Sequence, residues 1–309
     1  MVLAYGHADY AASLQDIGTP LRLEAGQGWV LRRDVPAGGW DAVGCYPLTR
    51  CAHWSGLPDD AAALRAAGAV SLTLVADPLA PDAPAAVRAA CPDVARPFKD
   101  HFVTDLHGVA PFGDAHHRRH VRRFARAGEV ETVADPSAHL DAWCRLYDGL
   151  IVRHRILGAA RFSRAAFARQ LALPGVRLLR AVMGGITVGY QLWFLDHDRQ
   201  DYHLAAYAEA GYRAGASHAL MARALELGRA EGRAVALLGS GAGLRHDARD
   251  GLTRWKAGWA TGTRQAWLGG AVLDRAAYAA AVARTGTEAS GYFPAYRDPH
   301  PLQEPVHAH

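Results

Sequence analysis

A run of three strand-like segments, followed by a helix and one more strand, constrains the fold more than any other feature of this sequence. In chain order the segments cover residues 176–183, 186–196 and 201–208, then the helix 217–232 and the strand 234–240. Gly184-Gly185 is typical of a two-residue hairpin turn, and Ser217 is a favourable N-cap for the helix. Antiparallel strands that end in a helix crossing to a parallel strand predict a mixed α/β sheet. A ligand-binding crevice is expected where the pairing changes direction.

Composition is that of an ordinary globular protein. The 309 residues are 50% hydrophobic and 21% charged, with a net charge of +4. This balance excludes a mainly disordered or fibrous chain, and the length fits one large domain or two of moderate size. The cysteines lack metal-site spacing, so we expect them to be reduced thiols: Cys45, Cys51, Cys91 and Cys144. The sequence shows neither a secretion signal nor a long apolar stretch, which predicts a cytoplasmic protein.

Lysine is nearly absent from the chain. Of the 34 basic residues only Lys99 and Lys256 are lysines, and all the others are arginines. Where lysine has been replaced so widely, a lysine that remains can be one whose role arginine cannot fill. This consideration bears on Lys256 in particular.

Three segments carry a resemblance to a known family: GDAHHRRHVRRFARAGEVETV at 113–133, GYRAGASHALM at 211–221 and GLTRWKAGW at 251–259. Together with the strand pattern around them, they resemble the C-terminal lobe of FemAB-type GNAT proteins over roughly 100–285. The resemblance implies tandem GNAT lobes: a degenerate first lobe over 1–99, a complete acyltransferase lobe over 100–287 and an extended tail over 288–309 that packs on the first lobe. The Pro-spaced stretch 77–97 is the best candidate for a region between the lobes.

The same resemblance implies a function. FemAB-like proteins include transferases that move an amino acid from aminoacyl-tRNA to an amine or hydroxyl of a peptide or small molecule. The absence of a coiled-coil insertion is compatible with a small acceptor and with natural-product biosynthesis. Aminoacyl-tRNA would be a co-substrate, with no bound cofactor. Ordinary GNAT enzymes cradle the CoA pyrophosphate with a glycine-rich turn at a helix N-terminus, but here only Gly215 of that motif remains. Acyl-CoA therefore stays as an alternative donor.

Lys256 matches the lysine that in FemAB-like relatives lies near the reacting carbonyl. Acyl transfer passes through a tetrahedral oxyanion, which a fixed positive charge stabilises. Trp255 and Trp259 flank Lys256 and would hold its ammonium in an apolar wall. The alternative is a surface lysine beside two core tryptophans.

Arginines cover one side of the helix predicted over 115–127. At about 100° per residue, they form one broad basic edge opposite an apolar arc. The residues are Arg118, Arg119, Arg122, Arg123 and Arg126. Such a row of like charges favours an anion, and the phosphates of tRNA would serve. A solvated basic face is the alternative interpretation.

No metal site is predicted. His116 and His120 have the spacing of some zinc ligands, but no third ligand is evident and the neighbouring arginines would repel a cation. The glycines of 239–243 follow a strand but precede no convincing helix, so a dinucleotide site is not expected either.

The general base is not legible from the sequence. Asp105, His203 and Tyr207 are the candidates near the crevice; the last two are four residues apart on one strand and are expected to share a face. The acceptor pocket is predicted from neighbouring positions: Tyr190, Gln191, Trp193, Ser240 and Trp255. A non-catalytic GNAT-fold module that binds RNA or a nucleotide is the rival hypothesis. A monomer is favoured.

Overall fold

The computed structural model describes residues 4–156, 158–241 and 250–299 of the chain. The strands are β1 Thr19–Leu23, β2 Gly28–Asp34, β3 Trp40–Gly44, β4 Ala69–Ala76, β5 Val94–Asp105, β6 Glu129–Thr132, β7 Val176–Met183, β8 Ile186–Leu195, β9 Arg199–Tyr207, β10 Val235–Gly239 and β11 Gly262–Val272. The helices are α1 Ala8–Ser13, α2 Leu57–Ala66, α3 Ala83–Ala90, α4 Ala115–Phe124, α5 Leu140–His154, α6 Arg164–Leu171, α7 Glu209–Ala214, α8 Ala216–Ala230, α9 Gly251–Ala257 and α10 Arg275–Thr285. The predicted α/β class is confirmed.

The described chain divides into two compact units. One contains the residues up to Asp16 together with Lys99–Gln265, and the other contains Ile17–Phe98 together with the residues from Ala266 onward. This division differs from the lobes expected at 1–99 and 100–287, because each unit combines two separate stretches of the chain. The lobe boundaries themselves stay a prediction.

The first unit contains the predicted mixed sheet. Its strands follow the order β5-β10-β9-β8-β7-β6, and all neighbouring pairs are antiparallel except β9 and β10, which are parallel. Helix α8 packs on the sheet through an apolar face that includes Ala216, Leu220 and Ala224. The antiparallel run, the crossing helix and the parallel strand all lie where the sequence pattern predicts them.

The second unit contains the other five strands and has its own core. Its strands follow the order β1-β2-β3-β4-β11, with a parallel β3–β4 pair among antiparallel neighbours. Helices α2 and α3 contribute buried residues to the core of this unit. Helix α3 lies inside the stretch 77–97 that was predicted to connect lobes; its Val87 is fully buried, so this part of the stretch is packed structure.

The described end of the chain docks on β3 and β4. The buried carboxylate of Asp41 accepts hydrogen bonds from Tyr296 Oη at 3.1 Å and Arg297 Nε at 3.0 Å, and Arg33 pairs with its other oxygen. Tyr296 Oη also lies 2.7 Å from Ser71 Oγ. These contacts connect the end of the described chain to strands β2, β3 and β4 of the second unit. Residues 300–309 of the predicted tail lie outside the described residues.

Tyr296→Phe is expected to lower the free energy of unfolding by about 1 kcal/mol, because it leaves the buried Asp41 and Ser71 oxygens without their phenol partner. Urea unfolding measures the change. Tyr292→Phe is the matched control, since Tyr292 is more than a third exposed. Equal losses in the two variants would contradict the role of the buried hydroxyl.

Within the described ranges, no helix is long and apolar enough to cross a membrane. The cytoplasmic location stays a prediction.

Candidate active site

The two parallel strands of the first unit separate soon after they pair. The β9–β10 register joins Arg199 to Val235 and ends at Asp201 opposite Leu237. Strand β9 nevertheless continues to Tyr207, six residues beyond the last paired position. Beyond Asp201 and Leu237 the two strands are no longer paired. The separation expected where antiparallel pairing changes to parallel is therefore present.

Lys256 lies at this separation. It belongs to helix α9, which begins after Asp250; the Asp250 carboxylate accepts hydrogen bonds from both the backbone N–H and the hydroxyl of Thr253. The Lys256 side chain is only 6% exposed. Its Nζ donates to the carbonyl oxygen of Ser240, just after β10, over 2.7 Å and lies 5.5 Å from the centre of the Tyr202 ring. The structure thus places a buried ammonium at the end of the parallel pair, and the catalytic role of Lys256 stays a prediction.

Burial determines the charge of Lys256. Desolvation is the largest cause that lowers the pKa of its ammonium from 10.5 to about 7, and the positive charge of Lys99 acts in the same direction. The Asp250 carboxylate opposes both effects. Near neutral pH this lysine therefore exchanges between its charged and neutral forms, and a negative charge beside it would favour the charged form.

A buried polar network occupies the sheet face beneath α8. Gln191 Nε2 donates to Tyr207 Oη over 3.0 Å and to the carbonyl oxygen of Ser217 over 3.2 Å, and Trp193 Nε1 donates to Gln191 Oε1. Burial raises the pKa of Tyr207 well above its ordinary value, so its phenol stays protonated. Three of the predicted site residues are thus brought together.

Tyr202 joins this network and links it to Lys256. Its side chain hydrogen-bonds with that of Tyr207, and its ring lies 5.2 Å from Trp193 and 6.1 Å from Trp255 between centroids. Tyr202 is a site residue that the sequence did not predict. Nothing in the sequence around Tyr202 indicates that its ring would face Lys256.

Tyr190 lies apart from the other predicted pocket residues. Its hydroxyl is 2.8 Å from His139 Nδ1, and its ring packs against Trp143 of helix α5. Successive residues of a strand point to opposite faces, so Tyr190 and Gln191 cannot line the same pocket.

His203 also lies on the far face. Its Nδ1 is 3.1 Å from Tyr5 Oη, its Nε2 is 3.3 Å from Gln170 Oε1, and its ring stacks on Phe194. Burial lowers the pKa of His203 to about 3, which makes it a very weak base. The expected shared face with Tyr207 is wrong, because the β8–β9 pairing shifts register between Leu192 and Trp193 and this irregularity breaks the alternation along β9.

His203→Phe is accordingly expected to change turnover by less than about threefold, while the loss of two buried hydrogen bonds lowers stability by about 1 kcal/mol. The Phe ring retains the stack on Phe194. Steady-state rates and thermal unfolding measure the two effects. A loss of turnover without a loss of stability would instead restore His203 as a candidate base.

Asp105 borders a different cavity. It lies exposed at the end of β5, where its carboxylate accepts the backbone N–H of His107 and its own N–H donates to Thr261 Oγ1. The adjacent cavity of about 380 Å³ is lined by Asp105, Asp114, Arg229 and Trp259, among others. The structure does not bring Asp105 to the Lys256 ammonium.

The arginines of α4 lie on an exposed surface, and two of them bond to backbone. Arg118 donates to the carbonyl oxygen of Gly113, and Arg123 donates to those of Arg213 and Ala214. Arg119, Arg122 and Arg126 are exposed. The helix ends at Phe124, shorter than predicted, because the chain turns toward Gly128, and Arg126 therefore lies in the turn. Among the described residues, none of the five arginines pairs with a carboxylate.

Four histidines pack between α4 and α8. His120 stacks on His218 with ring centroids 4.5 Å apart, and His116 and His117 adjoin them. Burial and the neighbouring imidazoles lower the pKa of His218 to about 3. Over the described part of the chain, no group of side chains has the arrangement of a metal site, so the His116–His120 pair has no complete ligand set.

The remnant of the CoA motif is a helix junction. Gly215 has φ +88°, a left-handed conformation that ends α7, and its N–H donates to the carbonyl oxygens of Gly211 and Tyr212. The nearest atom to a side chain added at Gly215 would be His120 Nδ1 at 3.3 Å. The one glycine of the motif that remains thus uses its N–H within the fold.

Two further predicted residues border Lys256. Ser240 contributes its backbone carbonyl, while its hydroxyl makes only a 3.4 Å contact with Gly241. Trp255 precedes Lys256 on α9, and its buried indole Nε1 has no hydrogen-bond partner among the described residues. Residues 242 and 243 of the predicted glycine-rich turn lie outside the described residues.

Comparisons with known proteins agree with this architecture. Residues 113–257 match the family of the acetyltransferase (GNAT) domain. Similar solved structures include the C-terminal domain of a protein assigned as a lysylphosphatidylglycerol synthetase from Agrobacterium fabrum (TM-score 0.63, 18% identity, 90% of each chain covered). FemX is also similar (TM-score 0.61, 13% identity, 85% of this chain and 91% of the other). So is L-PGS from Bacillus licheniformis (TM-score 0.59, 14% identity, 89% and 95%). A comparison with curated proteins finds no match.

The matched domain and the fold are those of a GNAT-type acyltransferase. The fold is also similar to those of FemX and L-PGS, and it is consistent with tandem GNAT lobes.

Proposed function

We propose that the protein transfers an amino acid from aminoacyl-tRNA to an amine or hydroxyl of a small-molecule or peptide acceptor, with no bound cofactor. The observation that carries the proposal is the buried Lys256 ammonium at the end of the parallel strands, 2.7 Å from the Ser240 carbonyl oxygen. A charge held in this way is suited to an acyl-transfer transition state.

The proposed reaction breaks one ester and forms one amide or ester. The acceptor nitrogen or oxygen attacks the carbonyl carbon of the ester. The carbonyl oxygen of the ester becomes negative in the tetrahedral intermediate. Lys256 donates a hydrogen bond to that oxygen. The bond between the carbonyl carbon and the ribose oxygen then breaks, and the proton released by the acceptor passes to that oxygen, which leaves as the ribose hydroxyl. No side-chain base is required, which agrees with the remote positions of Asp105 and His203.

Two features favour tRNA over CoA as the donor. The arginines of α4 supply exposed positive charge, and Arg123 fastens this helix to residues 213–214 beside the start of α8. The N–H of Gly215, which would help to bind a pyrophosphate, already donates to carbonyl oxygens of α7. A polyanion that contacts a broad basic surface fits these features better than a diphosphate bound in a compact turn.

The test is a transfer assay with charged tRNA. The protein is incubated with a mixture of aminoacyl-tRNAs carrying isotope-labelled amino acids and with a set of candidate amine and hydroxyl acceptors. Products are identified by mass spectrometry. We expect labelled amides or esters that disappear after RNase treatment and in Lys256→Met. Activity that resists RNase and requires acyl-CoA would replace the tRNA assignment with the CoA alternative.

The rival non-catalytic module gives a different result in the same assay. It predicts tRNA binding without any product, and binding that Lys256→Met leaves unchanged. A filter-binding measurement run beside the transfer assay therefore separates a silent RNA-binding protein from a transferase.

A further inference from the structure

The only two lysines of the chain bond to the backbone carbonyls of two consecutive residues. Lys256 comes from α9 and donates to the carbonyl oxygen of Ser240 over 2.7 Å, while Lys99 comes from β5 and donates to that of Gly241 over 3.1 Å. The two residues are 157 positions apart in sequence, yet their ammonium groups bond to consecutive carbonyls. In a chain whose other basic residues are all arginines, this convergence requires a physical account.

We propose that Lys99 is a positioning residue for Lys256: it holds the carbonyl of Gly241, next to the Ser240 carbonyl to which Lys256 bonds, and its positive charge lowers the proton affinity of Lys256 until an anion forms beside it. The inference rests on the proposed function, because the anion in question is the oxyanion of acyl transfer.

Among residues 4–156, 158–241 and 250–299, the charged and titratable groups that act on Lys256 come from three elements. Lys99 on β5 is half-buried, Asp250 caps α9, and Tyr202 on β9 presents its ring face. Ser240 and Gly241 contribute backbone carbonyls. Burial and Lys99 lower the pKa of Lys256, whereas Asp250 raises it. Burial also lowers the pKa of Lys99, and the same carboxylate opposes that effect. The charges of the two lysines are therefore coupled through a shared, poorly solvated environment.

Because of this coupling, the protonation of Lys256 depends on the other charges near it. Two ammonium groups held near one another disfavour full protonation, so the resting site carries less positive charge than two isolated lysines would. A negative oxygen beside Lys256 reverses that balance and stabilises the protonated form of its side chain. An arginine at position 256 would remain charged throughout and could not respond in this way.

The scarcity of lysine makes a direct measurement possible. The full chain labelled with ¹³C at lysine Cε has two lysine signals, and Lys99→Met and Lys99→Arg each leave the Lys256 signal alone. Titration of that signal measures the pKa of Lys256 without substrate or turnover. Lys99→Met removes the charge at similar length, and Lys99→Arg keeps the charge as the matched control.

We expect Lys99→Met to raise the proton affinity of Lys256 about threefold or more, whereas Lys99→Arg leaves it close to wild type. In the wild-type chain, the Lys256 signal should also show a second step as Lys99 titrates, a readout that remains if a variant does not fold. Equal Lys256 titrations in Lys99→Met and wild type, or a single-step wild-type titration, would overturn the inference.

The pH dependence of turnover separates this inference from the proposed function. If both hold, the pH at which kcat/KM declines on the alkaline side moves upward in Lys99→Met together with the Lys256 pKa. A protein that lacks transferase activity but shows the coupled titration refutes the proposed function and leaves the coupling intact. Activity with independent lysine titrations refutes the role of Lys99 alone.

Discussion

Lys256→Met is expected to lower kcat/KM about 100-fold or more while making the protein more stable at neutral pH. The loss of one donor to a developing oxyanion typically costs about 3 kcal/mol of transition-state stabilisation, which corresponds to about two powers of ten in rate. The Met side chain has a similar length and apolar character, so it fills the same space beside Tyr202. Steady-state kinetics of the transfer reaction measure the loss.

The gain in stability follows from the charge on the buried ammonium. The folded-state pKa of Lys256 is about 7, against an ordinary value of 10.5. Between these two values the unfolded chain binds the proton and the folded chain does not, so wild-type stability rises with pH through this window. Below about pH 7 both states are protonated, and the full cost of burying the charge applies.

The size of this cost can be bounded. A pKa change from 10.5 to about 7 corresponds to about 5 kcal/mol. Loss of the hydrogen bond to Ser240 offsets part of the gain, so we expect a net stabilisation of roughly 1–3 kcal/mol at pH 6 that declines toward pH 10. Urea unfolding across this pH range measures it.

Lys256→Arg is the control for Lys256→Met. It keeps a permanent charge in the same buried position, so it should gain no stability at any pH. A Lys256→Met variant that retains wild-type turnover would show that the ammonium has no role in the mechanism. A variant that is destabilised at pH 6 would show that burying the Lys256 charge does not cost stability.

Local sequence signals were sufficient for much of the sheet. The strand β7 matches its predicted residues, and the predicted helix after Ser217 corresponds to α8 to within two residues at its ends. The hairpin turn after β7 and the apolar periodicity of α8 are set by residues that are close in sequence, so the sequence alone reveals them. Lys256 could be proposed because its segment resembles a family motif.

Long-range packing explains what the sequence did not reveal. The register shift opposite Leu192 separates His203 from Tyr207, although alternation along a strand predicts a shared face. Tyr5 joins His203 from the beginning of the chain, so the residues up to Asp16 group with the first unit. Lys99 meets Lys256 only because β5 and β10 pair, and neither lysine carries a local signal of the other.

The basic surface on α4 gives the second large effect. The triple variant Arg119→Gln, Arg122→Gln, Arg126→Gln is expected to weaken binding of charged tRNA about 30-fold or more at low salt. Removing one arginine–phosphate interaction should reduce the slope of log affinity against log salt by about 0.7 to 0.9, so three removals reduce the slope by about 2 to 3. Arg118 and Arg123 stay, because their guanidinium groups bond to the backbone and their removal would disturb the helix.

A second triple variant isolates the surface from the net charge. Arg96→Gln, Arg264→Gln and Arg284→Gln remove the same charge from exposed positions on β5, β11 and α10. If tRNA binds the α4 surface, this control keeps the wild-type salt slope and most of the affinity, because none of the three arginines belongs to that surface and no arginine–phosphate interaction there is lost. Equal losses in the two triple variants would mean that tRNA responds only to total charge. Unchanged tRNA binding by the α4 variant would mean that tRNA does not bind at this helix, and acyl-CoA would then become the leading candidate for the donor.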